Sequence, residues 1–419
     1  MRAPCTVVRA FQRLLFIAIL AQPDLGPAMT VEKIEYHGWH NAYRISNGTV
    51  QVIVLTDVGP RIIFYGFANG ENEFHEFADQ AGKTGGNEFR SYGGHRLWIS
   101  PETDGTYFPD NVPVRVVPQD DVVRFIAPVE ESPKPTHLQK EIDIQVSPTG
   151  SHVTVIHKIT NHATAATEMA PWALSVMEQN GRAIFPFPAK APWGKTHLLP
   201  EGLLALWSYT DPSDRRWVFG TKYLQLIQDP NPTGQFKEQM MGLYDRQGWG
   251  AYFRKGHLFV KHAEVERAAT YPDYGCNFET YTEPGFLELE SLGPLRKLHP
   301  GETAVHVEDW WLFEGVPTGE DDDWVDEAIV PRVKQTQHDV TRRPKDQVLP
   351  RRAARNSVLH LPATGEHPFY DSADLNLSRR AAPPGHIDGN PRIGQLVPNY
   401  REGSLSSSAA RIKVLLTRR

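Results

Sequence analysis

Cysteine is nearly absent from this 419-residue chain; there are two, Cys5 and Cys276. Cys5 falls in an N-terminal leader, so no disulfide framework is available and the core must hold the fold. Metal-ligand spacing is missing too. There is no CxxC or HExxH, and the 17 His fall into no recognisable pattern, so neither a metal nor a cofactor is expected. Long apolar runs are also absent: residues 14–21 make a short one, too short to span a bilayer, and no membrane partner is expected. Of the 44 Lys+Arg and 50 Asp+Glu, 15 and 7 lie between Lys334 and Arg419, which leaves 29 against 43 elsewhere. An acidic body of this kind argues against nucleic acid as a partner.

What the chain does have is Gly (33), Pro (34) and Trp (10), the composition of a turn-rich β protein or of a carbohydrate binder whose flat rings stack on sugars. Short apolar runs at 42–47, 50–55, 61–65, 112–117, 122–129, 138–146 and 152–160 are separated by Gly, Pro, Asp and Ser. The same pattern continues through 168–177, 203–208, 217–226, 248–253, 258–265, 276–292 and 304–313. Asn47-Gly48 and Asn69-Gly70 between such runs predict hairpin turns, and Asp57–Arg61 predicts another. Strands recurring every 8–15 residues, with few helical periods, predict one large all-β antiparallel sandwich, not alternating β-α units.

The chain divides accordingly. Residues 1–29 read either as a signal peptide, with Arg2, Arg9 and Arg13 before the apolar run, or as a spurious extension ahead of a start at Met29. The first implies a secreted or periplasmic protein, the second a cytoplasmic one. Residues 30–318 form the β domain, 319–333 a short helical segment, and 334–419 a basic tail too poor in apolar residues to fold.

Two stretches carry a resemblance. Phe286-Leu-Glu-Leu-Glu-Ser291 precedes Gly293-Pro-Leu-Arg-Lys-Leu-His-Pro300-Gly301-Glu302, and Tyr92-Gly-Gly-His95-Arg96-Leu-Trp98 runs into Pro101-Glu102. Over about residues 30–318 the chain resembles the galactose mutarotase-like (aldose 1-epimerase-like) β-supersandwich family, closest to an uncharacterised branch with a Gly-Gly-His-Arg-x-Trp motif. The resemblance implies a large antiparallel β-supersandwich, a sugar or sugar-acid ligand, and Glu290 at the position of the family's catalytic base. It also exposes a departure: where the family carries His-x-Tyr-Phe, this chain reads Pro171-Trp172-Ala-Leu-Ser175.

Anomer exchange needs a base for the anomeric hydroxyl and an acid for the ring oxygen. Glu288 and Glu290 alternate with leucines and so share one strand face. His95 is the expected acid, following two glycines that let the backbone turn sharply toward a ligand. Arg96 is expected to grip hydroxyls or an acidic sugar group, unless it braces the loop through Glu102. Trp98 and Trp172 are candidate stacking rings. The expected function is aldose 1-epimerase-type mutarotation by a Glu base and a His acid. Two alternatives stand beside it: a noncatalytic carbohydrate-binding domain, and an accessory domain of a glycan lyase or hydrolase with Glu102 and Glu290 as opposed carboxylates.

Overall fold

The structure, a computed structural model, describes residues 29–340 apart from 120 and 197, with side chains given to residue 337. The leader reading (1–29) lies outside them but for Met29 and the tail reading (334–419) from residue 341 on; residues 334–340, read as tail, continue the helix.

Two antiparallel sheets pack face to face, so the chain is the expected large all-β sandwich. The first sheet has eleven strands. In spatial order its path is Thr30–Tyr36, Trp39–Ser46, Val50–Leu55, Arg61–Phe67, His95–Ser100, Thr167–Met177, Leu287–Leu292, Phe278–Thr282, Gln239–Leu243 and Leu204–Leu206, and Arg296–Leu298 pairs off this path with Thr167–Met177. The second has ten, running Trp217–Phe219, Tyr223–Ile227, Arg182–Pro186, Trp249–Arg254, His257–Ala263, Thr303–Phe313, Val153–Asn161, Leu138–Val146, Val122–Ile126 and Arg115–Gln119.

Alternation decides which side chains meet between the sheets. Leu138, Ile142, Ile144 and Val146 join the core from one sheet; Leu97, Leu287 and Leu289 join it from the other. Each such side chain contributes roughly 1.5–3 kcal/mol when fully buried. The central Thr167–Met177 strand is buried on both faces from Met169 onward, because loops cover the outer face of its sheet as well.

Asn47-Gly48 turns the hairpin between Trp39–Ser46 and Val50–Leu55, and residues 56–60 turn the next. Asn69-Gly70 turns the chain without making a hairpin. The Asn72 side chain accepts from the Tyr65 and Phe74 amides and so occupies the ladder position that a returning strand would need. Phe74 makes only an isolated bridge to Met177. The helical segment begins at Asp322, capped by the Asp321 carboxylate on the Trp324 amide, and continues to Val340. It lays Trp324, Val325, Ala328, Ile329 and Val333 on the outer face of the second sheet.

Candidate functional site

The Gly93-Gly94 pair starts a strand rather than a ligand loop. Both residues have positive φ, +95° and +71°, and a Cβ would sit 2.1 Å from the His75 carbonyl oxygen at one and 2.3 Å from that of Ile62 at the other. The glycines are needed for close approach to the chain's own backbone. Directly after them His95–Ser100 enters the middle of the first sheet, next to Thr167–Met177.

Strand geometry then separates the expected acid from the expected base. Successive side chains point to opposite faces, so Arg96, Trp98 and Ser100 face outward while His95, Leu97 and Ile99 face the second sheet. Leu174 pairs with Arg96 on one side and with Glu290 on the other, which places Glu290 on the outward face with Arg96. His95 lies two strands from Glu290, about 10 Å at ordinary strand spacing, and on the other side of the sheet. It has no exposed surface and does not share a site with Glu290. The expected pairing of a Glu290 base with a His95 acid is corrected on this ground.

On the outward face the other candidates do assemble. Trp98, Trp172, Leu174, Met240 and Leu292 form one apolar cluster. The Trp98 and Trp172 rings meet edge-on at 5.3 Å, and the Arg96 guanidinium lies 4.0 Å from the Trp98 centroid. Arg96 Nη2 donates to Glu288 Oε1 at 3.4 Å, and the Trp172 indole donates to Glu290 Oε2 at 2.6 Å. Glu102 is exposed in the following loop and accepts from the Tyr107 hydroxyl; Arg96 pairs with Glu288 and not with Glu102. Phe89, Tyr107, Trp207 and Tyr209 pack over the cluster from loops.

Two acidic residues that sequence reasoning passed over complete this face. Glu279 is the cross-strand partner of Glu290 and has no exposed surface. Neither Glu279 oxygen, nor Glu290 Oε1, meets an N–H or O–H donor. The polar neighbour of Glu279 is the half-buried Asp273 carboxylate, and a hydrogen bond between two carboxyls requires a proton, carried here by Glu279. Gly242 lies opposite Glu279 on the next strand, where a Cβ would stand 2.5 Å from Cys276 Sγ and 3.2 Å from Glu279 Cγ. The missing side chain makes room for both.

Electrostatics follow from that burial. Burial, then the Glu288 charge, pushes Glu290 well above the carboxylate range, while the Trp172 N–H opposes the rise. Burial pushes Glu288 up to about 7 against the pull of Arg96. Glu279 is raised by burial first, then by Glu290 and Asp273. Arg96 falls to about 10, with burial outweighing Glu288. Such a face stores protons near neutral pH.

The inner face holds the one group among the described residues with metal-ligand atoms close together: His95, His157 and Glu308, within 4.8 Å of one another. Their atoms already have protein partners. His95 Nδ1 meets Ser175 Oγ at 2.9 Å, and its Nε2 meets His157 Nε2 at 2.7 Å. The His157 Nδ1–H donates to the His306 carbonyl. Glu308 takes Lys261 and Ser291 on one oxygen and the Trp310 indole on the other. With the Lys261 ammonium 2.8 Å from Glu308, the positive charge a metal would bring is already supplied.

A cavity of about 490 Å³ lies apart from these residues, lined by Leu203, Tyr244, Arg246, Arg267, Tyr271 and Tyr274 among others; it contains none of the expected site residues.

No protein-family model matches the chain, and no curated protein matches it. Solved structures similar in fold include a galactose mutarotase-like protein from Lactobacillus casei (10% identity, TM-score 0.44, covering 65% of this chain and 100% of that one). A galactose mutarotase related enzyme from Lactobacillus acidophilus matches at 8% identity and TM-score 0.41, over 67% of this chain and 99% of that one. A TPR-domain containing protein from Parabacteroides distasonis matches at 14% and 0.45, over 74% of this chain and 51% of that one. The similarity is one of fold, and no functional argument rests on it.

Proposed function

We propose that the outward face of the central sheet binds a sugar. The observation that carries the reading is the Trp98 platform with the buried Glu288–Glu290 pair beside it. Flat apolar rings next to a few fixed hydrogen-bonding groups suit a pyranose, whose C–H face is apolar and whose edge is polar. Glu290 has no exposed surface, so Phe89, Tyr107, Trp207 and Tyr209 must move aside as a ligand enters. Tryptophan emission of the full-length chain should therefore change in a saturable way on titration with aldoses. A flat titration across a broad sugar panel would remove the reading.

Anomer exchange is a second reading, favoured by the Glu288 carboxyl held at about 7. Glu290, in its ionised form, would take the anomeric proton, and a protonated carboxyl neighbour would serve the ring oxygen in place of an imidazole. Saturation-transfer NMR separates the two readings: exchange faster than buffer supports catalysis, and line broadening without faster exchange supports binding alone.

A further inference from the structure

The charge balance of the outward face points to the class of sugar it takes. Among the described residues the cation inside the cluster is Arg96, and its charge is committed to Glu288 and to the face of Trp98. On the other side of the account stand Glu279, Glu290 and Asp273, with exposed Glu102 at the rim. Behind the sheet the Lys261 ammonium is held by Glu308 and the Leu289 carbonyl; its field lowers Glu290 through the sheet, but burial and Glu288 outweigh it. Arg61, whose charge acts on Arg96, is held by Asp110 and by the Ser91 and Gly93 carbonyls; Tyr107, Tyr209 and Tyr281 are phenols raised by burial, and Glu283 is a further carboxyl beside Tyr281.

Three carboxyl oxygens in this group, both of Glu279 and Oε1 of Glu290, are buried in fully buried side chains without an N–H or O–H donor. Buried polar atoms in native proteins nearly always have partners, and an orphaned set calls for an explanation. One Glu279 oxygen turns its proton to Asp273; the other Glu279 oxygen and Glu290 Oε1 are left to accept, and they belong to cross-strand neighbours on one face. A ligand group that satisfies several acceptors at once must be a multiple donor, and beside carboxyls it is favoured further if cationic. An ammonium has three N–H donors and one positive charge. A uronic acid would bring a carboxylate to a face already crowded with the Glu279, Glu290 and Asp273 carboxyls, with no unpaired cation to meet it.

We infer that the cleft selects amino sugars, with the sugar ammonium seated among Glu279, Glu290 and Asp273 and the pyranose face on the Trp98 platform. This rests on the sugar-binding reading above and deepens it. Seating the ammonium displaces the proton shared by Glu279 and Asp273, so binding releases protons to solvent.

The test uses the full-length chain and three ring-matched probes, glucosamine, glucose and glucuronate, titrated near pH 6, where the amine is charged. Tryptophan emission reports binding. Calorimetry in two buffers of different ionisation heat reports protons. The expected result is glucosamine binding at least tenfold more tightly than glucose, no response to glucuronate, and proton release for glucosamine alone. In Glu279→Gln, checked for folding by urea denaturation, the ratio of the two affinities should fall toward one. Equal affinity for glucose and glucosamine, or any preference for glucuronate, overturns the inference and leaves sugar binding standing. Calcium binding with no amino-sugar preference also overturns it, by assigning the carboxyl group to a metal. Silence with every sugar overturns both readings.

Discussion

The two faces of the central sheet both bury charge, yet they treat it differently. On the inner face His95, His157, His306, Lys261, Glu308, Ser175 and Ser291 form one connected set, and none of their buried side-chain atoms lacks a partner. On the outer face Arg96, Glu279 and Glu290 each leave at least one buried atom unpartnered. A polar network that is complete fixes register and packing. One that is incomplete costs stability, and such sites are retained where a ligand completes them. By this criterion the His95–Glu308 network of the inner face is structural and the outer face is the site.

The comparison predicts its largest effect on the inner face. Lys261→Met removes the cation beside Glu308 and leaves a carboxylate uncompensated between the sheets. Loss of about 3–5 kcal/mol is expected, read from urea unfolding midpoints at constant slope. A loss under about 1 kcal/mol, the scale of a surface pair, would mean that the inner network is not the strut described.

His95→Ala comes next and divides the two faces directly. It leaves Ser175 and His157 without their partner and opens a small void, for about 2–3 kcal/mol. The sugar response of the folded protein should be unchanged, because His95 does not reach the outer face. Loss of that response with stability intact would return His95 to the site.

That residue also shows what was legible in the sequence. Alternating runs and Gly/Pro turns gave the sandwich and most of its strands, including Leu138–Val146 at the expected bounds. They also gave one shared face for Glu288 and Glu290, since period two is a local rule. The same rule separates His95 from Arg96, but the stretch after Gly93-Gly94 was read as a loop, and a loop has no faces. The run at 276–292 hides Glu279, because its continuous apolar pattern reads as a single strand. Pro284-Gly285 inside it is a turn signal, and a hairpin there brings Glu279 opposite Glu290. What no local pattern carries is Asp273, which reaches Glu279 from a loop, or the inner network, whose members come from strands far apart in sequence.

The pH response offers a third, smaller contrast with opposite signs on the two faces. Burial holds His157 and His306 down to about 3, and lowers His95 as well. The unfolded chain binds their protons below about 6.5. Their contribution is therefore present above that value and is lost as pH falls from about 6.5 toward 3. Glu288 is raised to about 7, with Glu279 and Glu290 raised as well. These groups keep protons in the folded state, so their contribution is present below the ordinary carboxylate range and is lost as pH rises through about 7. Thermal midpoints between about pH 4 and pH 9 should form a dome whose alkaline side belongs to the outer face. A dome that keeps its alkaline side when Glu279, Glu288 and Glu290 are all changed to Gln would place that limb elsewhere.

Glu290→Gln gives the smallest stability effect and the sharpest division between stability and function. The amide oxygen can still accept from the Trp172 indole, so packing and that hydrogen bond survive. What disappears is an acid that must either hold a proton or bury a charge beside Glu288. At about pH 8 the variant should be as stable as the wild type or more stable by roughly 1 kcal/mol, while sugar affinity falls tenfold or more. On the inner face a charge-removing substitution such as Lys261→Met lowers stability and spares binding; here the order is reversed. A residue whose removal stabilises the fold and abolishes binding is one the fold tolerates for its ligand. If Glu290→Gln instead destabilised the protein as Lys261→Met does, with binding intact, the two faces would be alike and the outer carboxyls would be part of the core.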